Sequence, residues 1–205
     1  LDHTTPGSVS LAATYALISN GTDTAFSPDG NYIAVAHGGA VTFSLLDHTA
    51  PGSVSLAATY TTQSTALGTA FSPDGNYIAV ASFGSSIYFT LLDHTTHGSV
   101  SLAATYALSA IQATGVSFSP DGNYIAVGHN SAPYFTLLDH TTPGSVSLAA
   151  TYTLSGIGLS TDFSPDGNYI AVGHEASPRF TLLDHTTSGS VSLAATYTLS
   201  SDASG

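Results

Sequence analysis

Apolar side chains alternate with small polar ones along much of this chain, as in Val100-Ser101-Leu102, and β-branched and aromatic residues fill most apolar positions. That two-residue period gives an extended segment one face toward a core, so it predicts strands. Helix formers such as Glu, Lys, Arg and Met are almost missing. Between residues 66 and 110 the pattern predicts four strands, over residues 68–72, 77–82, 87–92 and 100–108. Pro73-Asp74-Gly75-Asn76 joins the first two; proline arrives with φ already set, and glycine accepts a positive φ. In the following copy the next connections read as His129-Asn130-Ser131-Ala132 and Asp139-His140-Thr141-Thr142-Pro143-Gly144.

The pattern repeats about every 45 residues. Gly-Ser-Val-Ser-Leu-Ala-Ala-Thr-Tyr occurs unchanged five times, from Gly7, Gly52, Gly98, Gly144 and Gly189; Ser-Pro-Asp-Gly-Asn-Tyr-Ile-Ala-Val occurs four times, from Ser27, Ser72, Ser119 and Ser164. Four short strands joined by tight turns at this period describe one blade of a β-propeller. The predicted fold class is all-β, with four four-stranded antiparallel blades and one extra outer strand. A single repeat domain covers residues 1–205, the extra strand lying in 1–20 and the blades in 21–65, 66–110, 111–156 and 157–202.

Phe118-Ser119-Pro120-Asp121-Gly122-Asn123-Tyr124-Ile125-Ala126-Val127-Gly128-His129-Asn130-Ser131-Ala132-Pro133-Tyr134-Phe135 closely resembles the blades of WD-repeat-like propellers, especially the highly repetitive ones associated with bacteriophages and bacterial surfaces. Every copy carries the likeness, so it covers essentially the whole chain. The third strand ends in Leu-Leu-Asp-His where the standard WD repeat has Trp-Asp, and no Gly-His pair precedes the first strand. The buried His/Ser/Asp/Trp network of that family is therefore not expected. The resemblance implies a propeller and no particular reaction.

Composition narrows the partners. Arg179 is the sole cation against thirteen carboxylates, for a formal charge of −12 with neutral histidines, so nucleic acid and anionic membranes are repelled. No apolar run approaches the roughly eighteen residues of a membrane helix, and no basic signal-like start is present, so no membrane insertion is expected. Serine and threonine stand where Lys and Glu usually cover a surface, which suits an extracellular or virion-associated protein. The chain opens at Leu1, part-way through a repeat, which reads as a processed product or fragment. Asn20-Gly21-Thr22 is a glycosylation sequon. Cysteine is absent, removing disulfides, thiolate metal sites and cysteine nucleophiles.

Labelling strands A to D from channel to rim, the chain reads D, ABCD, ABCD, ABCD, ABCD. Four blades are few for wedges that usually close at about six to eight. Three arrangements follow: a homodimer closing one eight-bladed ring, a compact four-bladed monomer, or an open assembly in which a surplus D strand pairs with a neighbour's sheet edge. Either terminal copy can be the surplus one.

In an antiparallel blade the D-A and B-C loops share one face and the A-B and C-D turns the other. Nearly all sequence variation falls on the first face, which makes it the candidate recognition surface. Its candidate binding residues are His37, Phe83, His129, Tyr134, His174, Glu175 and Arg179, since aromatics and arginine dominate interface energetics and the imidazoles can form a pH-responsive set. Drift in tolerant loops explains the same variation.

The Asp-His pairs from Asp2-His3 to Asp184-His185 carry metal-ligating groups, yet neighbours on a strand point to opposite faces. They are read as turn residues, as are Asp29, Asp74, Asp121 and Asp166; no metal and no cofactor is expected. The D-strand tyrosines and those that begin the B strands are read as packing between blades. No copy breaks the repeat with a catalytic cluster, so the sequence points to a non-enzymatic, self-assembling propeller, and the resemblance implies a virion, tail or surface filament as its setting. A propeller binding a glycan or protein through its variable face is the alternative.

Overall fold

A computed structural model of the chain describes residues 10–84, 89–108 and 112–199, which form sixteen strands and no helix. Blade 1 comprises β1 (Gly21–Phe26), β2 (Tyr32–His37), β3 (Phe43–Asp47) and β4 (Ser55–Tyr60). Blade 2 comprises β5 (Ala66–Phe71), β6 (Tyr77–Ser82), β7 (Phe89–Asp93) and β8 (Ser101–Tyr106). Blade 3 comprises β9 (Ala113–Phe118), β10 (Tyr124–His129), β11 (Tyr134–Asp139) and β12 (Ser147–Thr153). Blade 4 comprises β13 (Gly158–Phe163), β14 (Tyr169–His174), β15 (Arg179–Asp184) and β16 (Ser192–Thr198). Each blade is one antiparallel sheet with its strands in chain order.

The B strand of blade 2 falls on residues 77–82, as the alternation predicts. Its A strand starts two residues earlier than expected, at Ala66, because a bulge before Gly68 lets Ala66 pair with Ser82. Bulges recur between the third and fourth strands, at Leu45/Leu46, Leu91/Leu92, Leu137/Leu138 and Leu182/Leu183. An extra residue at the same place in every blade raises local twist, which is what a propeller blade needs. The expected start of the third strand at residue 87 lies outside the described residues.

The Ser-Pro-Asp-Gly-Asn-Tyr block builds its own hairpin. The Ser27 hydroxyl donates to Asp29 Oδ1 at 2.6 Å and accepts from the Tyr32 amide at 2.8 Å, while Asn31 donates to the same carboxylate through both its backbone and side-chain nitrogens. The other three copies repeat these bonds. Four hydrogen-bond donors are thereby satisfied where the hairpin leaves the sheet.

The blades pack face to face in chain order. One face, here called distal, presents Tyr32, Ala34, Ala36, Phe43 and Leu45 of blade 1; these meet Ile78, Val80 and Leu92 on the proximal face of blade 2. Blades 2 and 3, and blades 3 and 4, repeat the same layer. Phe43, Phe89 and Phe135 are fully buried in it, each contributing about 1.5–3 kcal/mol by leaving water. The innermost strands also run side by side, β1 on β5, β5 on β9 and β9 on β13, but no comparable contact joins β13 to β1 among the described residues. The four blades form an open arc.

Identical nonapeptides reach different ends. The C-terminal copy stays with its own blade, β16 pairing with β15. In the N-terminal copy residues 11–17 form no strand, although the same sequence does so in every blade. The copies that form strands each pair with the C strand just before them. Residues 7–9 of the first copy lie outside the described residues.

Candidate functional site

The B-C hairpins of blades 3 and 4 carry the least ordinary backbone among the described residues. Ala132-Pro133 and Ser177-Pro178 are cis, and Tyr134 and Arg179 after them have φ of 72° and 73°. They are the only non-glycine residues with positive φ among those described. Left-handed backbone at a bulky side chain costs energy and clusters at sites with a functional reason to hold it. Each is held by a turn: the Tyr134 amide donates to the Ser131 carbonyl and the Arg179 amide to the Ala176 carbonyl, both at 2.8 Å. The two residues occupy equivalent positions on neighbouring blades.

Blade 4 closes tightly on the Tyr134 hairpin. A Cβ on Gly158 would sit 2.5 Å from the Tyr134 carbonyl oxygen and 3.1 Å from the Gly128 Cα, so only glycine admits this approach of the D-A connection. Glu175 is exposed, as is Arg179, whose guanidinium donates to the Glu175 carbonyl oxygen at 3.1 Å. The loop face here offers a phenol, a carboxylate and the chain's one cation.

The imidazoles lie beneath that face. His37, His129 and His174 are buried at the ends of their B strands, and each Nε2 pairs with a hydroxyl seven residues on: Ser44 at 2.9 Å, Thr136 at 3.0 Å and Thr181 at 3.0 Å. His37 Nδ1 also donates to the Gly38 carbonyl at 2.9 Å. Burial pushes the His129 and His174 rings below their usual pKa. They tie the B-C hairpin to the blade and do not reach the surface. The sequence reading missed these bonds; the recurring seven-residue spacing from His to Ser or Thr was the signal available. Phe83, on blade 2, is half exposed and bridges to Gln112 at the start of blade 3, which places it away from Glu175 and Arg179.

The opposite face is spent on turns. Asp47 Oδ1 accepts the amide and hydroxyl of Thr49, and His48 Nδ1 donates to the Gly30 carbonyl at 3.1 Å; the pairs at 93–94, 139–140 and 184–185 do the same. The Thr49 hydroxyl holds the Asp47 carboxyl below its usual pKa. Among the described residues no three His, Asp or Glu side chains converge as a metal cluster. Grooves of about 300 and 400 Å³ between successive turns are lined by Asp74, Asp121 and Asp166, whose oxygens are committed to their own hairpins.

No family model matches the chain, and neither does any curated sequence. Solved structures do. A Bacteroides uniformis protein described as a candidate 6-phosphogluconolactonase aligns over 86% of this chain and 54% of its own, at TM-score 0.75 and 16% identity. The periplasmic gluconolactonase PpgL of Pseudomonas aeruginosa aligns over 87% of this chain and 57% of its own, at TM-score 0.73 and 16% identity. The β-propeller domain of Cps50 (Swd1) from Myceliophthora thermophila aligns over 86% and 58%, at TM-score 0.65 and 16% identity. The fold is a β-propeller's. The chain spans little more than half the length of each of these proteins.

These likenesses correct the functional expectation. The absence of a catalytic cluster from every repeat copy pointed to a non-enzymatic structural propeller, and the virion or filament role rested on the resemblance alone. Propellers of this architecture include proteins described as lactonases, so the exclusion of catalysis does not hold. The flaw was physical: a propeller site is assembled from loops of several blades, and no single repeat has to contain it.

Proposed function

We propose that this chain is a propeller that hydrolyses a neutral sugar lactone on the loop face of blades 3 and 4. The observation that carries the reading is the pair of left-handed residues, Tyr134 and Arg179, at matching positions of adjacent blades, with the Arg179 guanidinium on the Glu175 carbonyl oxygen. Likeness in fold to a gluconolactonase supports the reaction class. Charge supports the substrate: with a formal charge of −12 and one cation, a phosphorylated lactone would meet repulsion that an uncharged one escapes.

In the proposed reaction the Tyr134 ring packs on the sugar and its hydroxyl bonds a ring substituent. Water adds to the lactone carbonyl carbon, Glu175 taking a proton from it, while the Arg179 guanidinium stabilises the charge developing on the carbonyl oxygen. The acyl C–O bond then breaks and the ring oxygen leaves with the proton, giving the open hydroxy acid.

Acid release from glucono-1,5-lactone, measured against the spontaneous rate in the same buffer, tests this. The intact chain should exceed the background, and should act less well on the 6-phosphorylated lactone. Glu175→Gln and Arg179→Ala should each lower kcat by about a hundredfold, in line with loss of a general base or an oxyanion donor, with folding unchanged. A rate equal to background for both lactones overturns the reading.

A further inference from the structure

The arc's two ends are a matched pair with one interface missing. At every internal interface a tyrosine that opens a B strand reaches the C-D turn of the next blade. Its hydroxyl lies 3.4 Å from where a Cβ would stand on Gly98, Gly144 or Gly189, the partners being Tyr32, Tyr77 and Tyr124. The fourth such tyrosine, Tyr169, has no blade beyond it and is 38% exposed, against 8%, 8% and 6% for its siblings. The first such glycine, Gly52, has nothing within 4 Å.

The A-B turns say the same. Gly75, Gly122 and Gly167 each face the proline of the preceding blade's turn, at 3.4–3.6 Å, whereas Gly30 faces nothing. At the end of the A strand Phe26 is 61% exposed while Phe163 is 8%. Leu17 approaches Gly21 on blade 1, at the sequence position that Leu108 and Leu154 hold at internal interfaces. Those two are buried; Leu17 is only half-buried.

We propose that a second copy of this chain supplies the missing partner at both ends. The distal face of blade 4 packs on blade 1 of the other copy, and the reverse, so that two arcs close one eight-bladed ring about a two-fold axis. Tyr169 then sits over Gly52 of the second copy and Pro165 over its Gly30, and Leu199 takes the place on blade 1 that Leu17 holds in a single copy, continuing the interface already made three times within the chain. Copies of a four-bladed chain close only at multiples of four; four is ruled out by the separation of β13 from β1, and eight is next.

Closure also completes the loop face. Gly158 meets the Tyr134 hairpin within the chain, and the equivalent glycine of blade 1, Gly21, has only Leu17 and Val35 near it. In the ring Gly21 of the second copy would meet the Arg179 hairpin. This consequence rests on the proposed lactone site, but ring closure itself does not, and it is read by mass.

Sedimentation equilibrium of the full chain at tens of micromolar should give twice the 20.7 kDa of one copy. Phe26→Ser and Tyr169→Ser change exposed positions, so each should leave the circular dichroism spectrum intact and return the mass to that of one copy. The chain has no cysteine, so a Pro51→Cys/Tyr169→Cys variant joined by a short bis-maleimide reports only this contact. A covalent dimer is expected. One-copy mass at every concentration, a cross-link confined within one chain, or a ladder of larger multiples would each overturn the proposal; the first would leave the two faces to blades of a longer polypeptide.

Discussion

The Tyr124 hydroxyl lies 2.6 Å from the Ser188 hydroxyl, a bond that ties the B strand of blade 3 to the C-D turn of blade 4. Blade 3 has Pro143 at the position of Ser188, so Tyr77 packs against its turn without that bond. Tyr124→Phe and Ser188→Ala should each lower unfolding free energy by about 1 kcal/mol, and the double variant by no more than either alone. Tyr77→Phe should cost less. Urea unfolding measures all four, and additive losses at Tyr124 and Ser188 would contradict the bond.

Gly158 and Gly21 begin the innermost strands of blades 4 and 1, and their surroundings differ. A methyl group on Gly158 would strike backbone atoms at 2.5 Å and 3.1 Å, while on Gly21 it would meet the Leu17 side chain at 3.4 Å. Gly158→Ala should therefore cost about 1–3 kcal/mol, and Gly21→Ala much less in the isolated chain. Thermal unfolding at concentrations low enough to keep a single copy separates them; equal losses would mean that blade 1 is covered as blade 4 is.

The same contrast holds in the core. Phe135 is fully buried between blades 3 and 4, and Phe180, its counterpart on blade 4, is half-buried at the end of the arc. Phe135→Ala should cost about 3–5 kcal/mol and Phe180→Ala clearly less, by denaturant titration at low protein concentration.

Acid should weaken the fold in two stages. His129 and His174 have pKa values lowered by burial, so below about pH 6.5 the unfolded chain takes up protons that the folded chain resists. Their contribution is complete above that pH and is lost as the pH falls through the folded-state values. Asp29, Asp47, Asp166 and Asp184 are held below 3.8 by the hydroxyls of Ser27, Thr49, Ser164 and Thr186; their contribution is lost lower still, as pH falls through those depressed values. Unfolding free energy should drop as the pH falls below about 6.5, and again below about pH 4. The paired change His129→Gln and His174→Gln should flatten the first step; an unchanged slope would assign it elsewhere.

Much of the fold was legible in the repeat itself. Alternation located the strand at 77–82 to the residue, and Pro73-Asp74-Gly75-Asn76 predicted a hairpin whose Asp and Ser the structure finds bonded to it. The tyrosines at 32, 77 and 124 pack between blades as their positions suggested. Other features depend on neighbours that a single repeat does not reveal. That the last nonapeptide becomes a strand turns on the C strand it pairs with. The left-handed Tyr134 and Arg179 share the proline before them, but nothing in local pattern marks their φ. His37, His129 and His174 looked like loop residues because the hydroxyls that bury them stand on the next strand.

Ring closure depends on an arc of four blades whose ends fit one another. Electron microscopy of the purified chain, averaged down the ring axis, tests that most directly. The expected image is one closed ring of eight blades repeating after four. Closed rings of four blades, with Phe26 and Tyr169 covered within one chain, would contradict it.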